Sequence, residues 1–244
     1  MAFDPSRFKN MRSEKKIMPV VLLLDVSYSM NDERKIDYLN EAVKEMISGL
    51  AADSSKKEIG FYVAIIIFGL EVRTHLRYTD VKDLAVRGID KFTADGSTPL
   101  GKALQLATDM IEDKDETKRN WYRPAVVLVS DGEPNDDYEG VMHNFIHSGR
   151  THKAQRISMA IGTEADTDML SRFASDGAVV RAEDASQISD AFNFITMSIS
   201  SRAASQNPDV FPGAEKASNG IKSYKSFVSE KSGVSDDDIN DMFT

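Results

Sequence analysis

Pro19-Val20-Val21-Leu22-Leu23-Leu24-Asp25-Val26-Ser27-Tyr28-Ser29 decides the fold. Its first six residues are an unbroken apolar run rich in branched side chains, the pattern of a strand buried on both faces, as in a parallel sheet. The run ends on an acid, and two hydroxyl residues follow at spacings of two. Outward from this strand the chain alternates. Ile36–Ala52 carries Ile36, Leu39, Ala42, Val43, Met46, Ile47 and Leu50 at helical spacing. Gly60–Gly69 is a second buried strand. Glu71–Tyr78 sets Val72, Thr74, Leu76 and Tyr78 against polar and charged neighbours, the period of a half-exposed strand at an antiparallel edge. Helices are expected at Leu100–Ile111, Tyr138–Ser148, Asp166–Ala174 and Ala185–Ser201, and strands at Pro124–Ser130, Arg156–Ile161 and Ala178–Arg181. This alternation implies one α/β domain, with a mostly parallel sheet between two layers of helices.

The whole chain has 244 residues, 41% of them hydrophobic and 28% charged, which is ordinary for a globular protein. Its formal charge of −9 makes nucleic acid and anionic membrane poor partners. It has no cysteine, so disulfides, thiolate metal sites and cysteine nucleophiles are excluded. No apolar run approaches the roughly 20 residues of a membrane span. The basic N-terminus lacks the apolar core of a secretory signal, and a cytoplasmic location is expected. Residues 1–17 read as a polar extension, 18–203 as the domain, and 204–244 as a flexible acidic tail with a short helix near Ile221–Glu230 and the cluster Asp236–Asp241.

Ligands of an open parallel sheet bind outside the carboxyl ends of the strands. Three polar groups fall there: Asp25-x-Ser27-x-Ser29 after the first strand, Thr98 in the turn before the 100–111 helix, and Asp131 after the 124–130 strand. Two carboxylates and three hydroxyls, with no nitrogen or sulfur among them, suit a hard cation such as Mg²⁺ or Mn²⁺. Asp-x-Ser-x-Ser alone could equally be a helix cap. His143 and His147, four apart on an expected helix, have zinc-pair spacing, but no His-Glu-x-x-His pattern accompanies them. Glu133 and Asp136-Asp137 read as solvated rim charges.

Asp25-x-Ser27-x-Ser29, Thr98 within Asp95-Gly-Ser-Thr-Pro-Leu-Gly101, and Asp131 within Ser130-Asp-Gly-Glu-Pro134 together resemble the metal-ion-dependent adhesion site of von Willebrand factor type A domains. The resemblance covers about residues 17–203. It implies a doubly wound, mostly parallel six-stranded sheet with one antiparallel edge strand. It also implies a non-catalytic role, in which a bound divalent cation captures an Asp or Glu carboxylate of a partner protein. By this resemblance Ser27, Ser29 and Thr98 would touch the metal directly, and Asp25 and Asp131 partly through water. Ala160–Asp166 and the serine-rich Ile195–Ser201 are most similar to the tellurium-resistance Y-type proteins of bacteria, stand-alone domains that accompany a protein kinase and a PP2C-type phosphatase. The chain departs from the family at Tyr28 and at Asn31-Asp32, where glycines are common; both lie on the expected rim. An enzyme reading stands beside this one. An apolar strand ending in Asp also opens the haloacid-dehalogenase-like phosphatases, with Asp25 as the nucleophile. Those enzymes place a second Asp two residues later, where this chain has Ser27.

Overall fold

The computed structural model describes residues 16–56 and 59–209. Six strands, β1 (Lys16–Asp25), β2 (Ile59–Phe68), β3 (Val72–Asp80), β4 (Ala125–Ser130), β5 (Gln155–Ile161) and β6 (Val179–Ala182), form one sheet in the order β3-β2-β1-β4-β5-β6. Every pairing is parallel except β2 with β3. The helices are α1 (Lys35–Lys56), α2 (Val81–Arg87), α3 (Leu100–Glu112), α4 (Glu139–His147), α5 (Thr167–Phe173) and α6 (Ile188–Ala203). The six-stranded sheet with its antiparallel edge is the architecture expected from the sequence.

The alternation of side chains along β1 builds two cores from one strand. Val20, Leu22 and Leu24 face one layer, with Ile65 and Val127 and the buried faces of α1, α2 and α6. Val21 and Leu23 face the other, with Ile66 and Leu128 and the buried residues of α3, α4 and α5. Pro19 cannot donate a ladder hydrogen bond. It lies opposite Tyr62 of β2, one residue before the pairing with β4 begins at Val20, so the central strand is interrupted only where it has a single neighbour.

The helix α2 was not legible as such. Seven residues with two buried side chains, Val81 and Leu84, are too short to show a period. Its ends do carry signals: Asp80 accepts a hydrogen bond from the Lys82 amide, and Gly88 closes the last turn at a φ of 76°. Ala185–Gln187, expected as the start of the last helix, form a separate 3₁₀ turn.

At the amino-terminal end of the sheet the described chain continues past α6. The buried Arg202 donates from Nε to the Pro208 carbonyl (2.7 Å), from Nη1 to Gln155 Oε1 (3.1 Å), and from Nη2 to the Arg123 carbonyl. The Arg123 amide in turn donates to Asp209 Oδ1 at 2.7 Å. Residues 204–209 are thereby tied under β4 and β5. Residues 1–15 of the expected extension, and residues 210–244 of the expected tail with its short helix, lie outside the described residues.

Candidate metal centre

The strand order reverses between β1 and β4: the chain goes from β1 outward through β2 and β3, then returns to β4 on the other side of β1. The crevice above that reversal is the binding place of an open α/β sheet. Asp25 is the last residue of β1, Ser130 is the last of β4, and Asp131 follows it.

Asp25 is completely buried. Its Oδ1 accepts the Ser27 amide at 2.9 Å, and its Oδ2 accepts the Ser130 hydroxyl at 2.6 Å. Burial pushes its carboxyl up to about 6, against the lowering effect of the Ser130 and Ser27 hydrogen bonds, and the charge of Asp131 raises it further. A carboxylate held in this way is short of positive charge.

The Asx-type turn that Asp25 closes on Ser27 aims the next hydroxyls across the crevice. Ser27 Oγ lies 3.1 Å from Ser29 Oγ, which donates to Asp131 Oδ1 at 2.8 Å. The other oxygen of Asp131 accepts from Lys35 Nζ at 2.9 Å. Thr98 reaches the crevice on a separate loop and is also buried. Its Oγ1 is 4.0 Å from where a β-carbon on Gly132 would stand, and its carbonyl accepts the Asn135 amide at 3.1 Å, which ties it to the segment after Asp131. Asp25, Ser27, Ser29 and Asp131 are thus joined by a chain of hydrogen bonds, and Thr98 stands against the Asp131 loop.

Backbone bonds fix the Thr98 loop to the ends of β1 and β2. Asp95 N donates to the Val26 carbonyl (2.8 Å), Leu70 N to the Asp95 carbonyl (2.8 Å), and Tyr28 N to the Gly96 carbonyl (3.0 Å). Gly96 adopts a φ of 81°, and a β-carbon there would meet Leu70 N at 2.2 Å, so no other residue fits. Beyond it, α3 has no cap of its own because Pro99 precedes it. Asp136 supplies one from the far loop, accepting the Gly101 and Lys102 amides at 2.9 and 3.1 Å. Asp136 is therefore not the solvated rim charge expected from the sequence.

Ser130, Lys35 and Asp136 were the participants missed from sequence. Ser130 left a trace: it is a hydroxyl ending an otherwise apolar strand, next to the acid. His143 and His147 stack at 4.4 Å, and the His147 Nδ1 is engaged with the His143 carbonyl at 2.9 Å. Among the described residues, no three His, Asp or Glu side chains converge as a metal cluster. The donors at the crevice are mostly hydroxyls.

The rim is apolar as well as polar. Tyr28 and Leu70 are 68% and 71% exposed, and their amides bond the adjacent Gly96 and Asp95 carbonyls. Asn31 Nδ2 closes the loop behind them on the Tyr28 and Ala94 carbonyls, at 3.1 and 3.2 Å. Glu33 and Arg34, which lead into α1, take φ values of 52° and 61°.

The family model of the von Willebrand factor type A domain matches residues 20–194. Among curated proteins there is no match. The fold is similar to that of proximal thread matrix protein 1 from the mussel byssus, at 16% identity and a TM-score of 0.60, over 75% of this chain and 48% of that one. A second structure of that mussel protein has a zinc-occupied MIDAS motif. A von Willebrand factor type A protein from Catenulispora acidiphila is similar at 19% identity and a TM-score of 0.57, over 74% of this chain and 42% of that one. The ArnB paralog VWA2 from Sulfolobus acidocaldarius is similar at 18% identity and a TM-score of 0.53, over 70% and 43%. The chain thus spans less than half the length of these structures. The family match over the whole sheet, with the polar crevice at its switch point, makes this chain a member of the von Willebrand factor type A domain family.

Proposed function

We propose that the chain is a non-catalytic interaction module that holds a divalent cation at Asp25, Ser27, Ser29, Thr98 and Asp131, and uses it to capture a carboxylate of a partner protein. The observation that carries this reading is the spacing of the oxygens. In an octahedral Mg²⁺ site with bonds of about 2.0–2.1 Å, neighbouring oxygens are roughly 2.9 Å apart. Ser27 Oγ, Ser29 Oγ and Asp131 Oδ1 follow one another at 3.1 and 2.8 Å. A cation set beside this row finds the oxygens already at the spacing of neighbouring ligands, with the hydroxyl hydrogens turned away from it. The buried Asp25 supports the same reading, since it lacks a cation of its own. Mg²⁺ or Mn²⁺ fits these hard donors, and the zinc-occupied motif of the mussel protein supports a divalent ion in this fold.

With hydroxyls in direct contact the ion keeps much of its charge, and a foreign carboxylate is the natural last ligand. Tyr28 and Leu70 would add apolar contact beside it. Two candidate partners are a kinase and a PP2C-type phosphatase of a bacterial tellurium-resistance or stress system, in the cytoplasm. The support for that system is the likeness of Ala160–Asp166 and Ile195–Ser201 to the Y-type proteins. The alternative, phosphatase chemistry with Asp25 as nucleophile, finds less support. A nucleophile must be reached by its phosphate, whereas Asp25 is completely buried, and Ser27 stands where the acid–base partner would be.

Binding of the purified kinase and phosphatase in Mg²⁺ and in chelator tests the proposal. Binding should need the metal and fail with Thr98→Ala, while an aryl phosphate should turn over no faster than in buffer. Full-affinity binding in chelator would assign recognition to another surface. Turnover lost in Asp25→Asn would favour the enzyme.

A further inference from the structure

Among the described residues, Lys35 brings into this crevice a positive charge that the metal-site reading does not use. It is the first residue of α1, and its side chain is only 12% exposed. Its ammonium is held between Asp131 Oδ2 at 2.9 Å and the backbone at Gly162, where a β-carbon would stand 3.5 Å from Nζ. The Asp131 side chain is fully buried, and its two oxygens are divided: Oδ1 belongs to Ser29, Oδ2 to Lys35. We propose that Lys35 is a resident counter-cation of the site. It keeps Asp131 paired and oriented when no ion is bound, and it weakens the affinity for the divalent ion when one arrives. This rests on the metal-site reading above.

The argument is one of charge. Asp25 and Asp131 together offer two negative charges, and Lys35 cancels one of them before any ion binds. A dication entering beside Asp131 meets half the net attraction it would otherwise meet. That loss is the repulsion between the dication and the ammonium bound to the other oxygen of the same carboxylate, in surroundings that water screens poorly. The ammonium cannot withdraw cheaply, because leaving would abandon a buried carboxylate. The loaded site in turn carries one more positive charge than two carboxylates and a dication would give, which suits a site whose last ligand is a foreign anion. An ion is then held loosely until an acidic partner joins it.

Mn²⁺ titration of the full chain by calorimetry, for wild type, Lys35→Met, Lys35→Gln and Lys35→Arg, tests this, with melting curves in chelator alongside. Removing the charge should tighten Mn²⁺ binding by roughly tenfold or more, the size of the repulsion between a dication and a monocation about 6 Å apart even at the dielectric of water. Lys35→Arg should stay within about twofold to threefold of wild type. In chelator Lys35→Met and Lys35→Gln should melt lower than wild type, and saturating Mn²⁺ should recover the difference. The two neutral variants guard against one of them failing to fold. A lower melting point with an unchanged or weaker Mn²⁺ affinity would make Lys35 a purely structural partner of Asp131 and overturn the proposal. If wild type and all variants bind no Mn²⁺, the metal-site reading itself falls and the lysine proposal with it. If the neutral variants alone bind, Lys35 blocks the site outright, and the proposal that it tunes a loaded native site is overturned.

Discussion

Asp25 shows how a single residue can be costly to the fold and necessary to the site. Its carboxyl titrates near pH 6 in the metal-free fold because burial disfavours its charge, against an ordinary value of 3.8. The sign follows directly. The neutral acid stabilises the folded state at pH values below the ordinary one, and that contribution is lost as the pH rises through 6. Above that point the metal-free protein carries a penalty of about 3 kcal/mol. Asp25→Asn, which keeps shape without charge, should therefore melt higher than wild type in chelator at pH 7.5 and about equal to it at pH 4. The same titration should act on the metal. Below pH 6 a proton competes for Asp25, so the affinity for Mn²⁺ should fall by up to about tenfold per pH unit, which calorimetry at pH 7, 6 and 5 would follow. The Asp25-x-Ser27-x-Ser29 spacing, Thr98 and Asp131 were all legible from the sequence. Lys35 was not, because a lysine at a helix start has no signature; only the folded register puts it over Asp131.

Elements succeed or fail by their ends. The turn into α1 places Glu33 and Arg34 in the left-handed region, where a residue with a β-carbon is strained by about 1 kcal/mol. Glu33→Gly should relieve that strain at the cost of a freer unfolded chain, and leave a net gain of up to roughly 0.5 kcal/mol in denaturant melts. At the opposite end of the sheet, Arg202 joins α6 to the Pro208, Gln155 and Arg123 groups. Burial pulls its guanidinium down to about 10, against the raising effect of Asp209, so it is still charged at neutral pH. Arg202→Ala should cost about 2–4 kcal/mol, since several buried acceptors lose their donor. A chain ending at residue 203 should melt measurably below one ending at 209. Long buried strands were readable as unbroken apolar runs, and amphipathic helices because ten or more residues display a period. The 81–87 helix and the 204–209 return were not. The first is too short for a period, and the second depends on an arginine that anchors Pro208 only because it also reaches Gln155 and Arg123, 47 and 79 residues away in sequence.

For the molecule as a whole, the parallel order that buries β1 on both faces also gathers its carboxyl end, the end of β4 and the Thr98 loop around one crevice. The antiparallel edge was readable from the half-exposed alternation of β3, and the doubly wound order from the resemblance. A bound ion should stabilise the folded chain by RT ln(1 + [L]/Kd), or about 1.4 kcal/mol at ten times Kd, which for a chain of this size is a rise in Tm of roughly 3–6 °C. Asp25→Ala should fold and lose that rise. The most direct test is a crystal grown with Mn²⁺ and measured for anomalous scattering. The account predicts one strong peak over the β1–β4 switch point, within about 2.2 Å of Ser27 Oγ, Ser29 Oγ and Thr98 Oγ1. It also predicts a coordination position open to water or to a neighbour's carboxylate. No peak there at saturating Mn²⁺, or a peak at another place on the molecule, would contradict it.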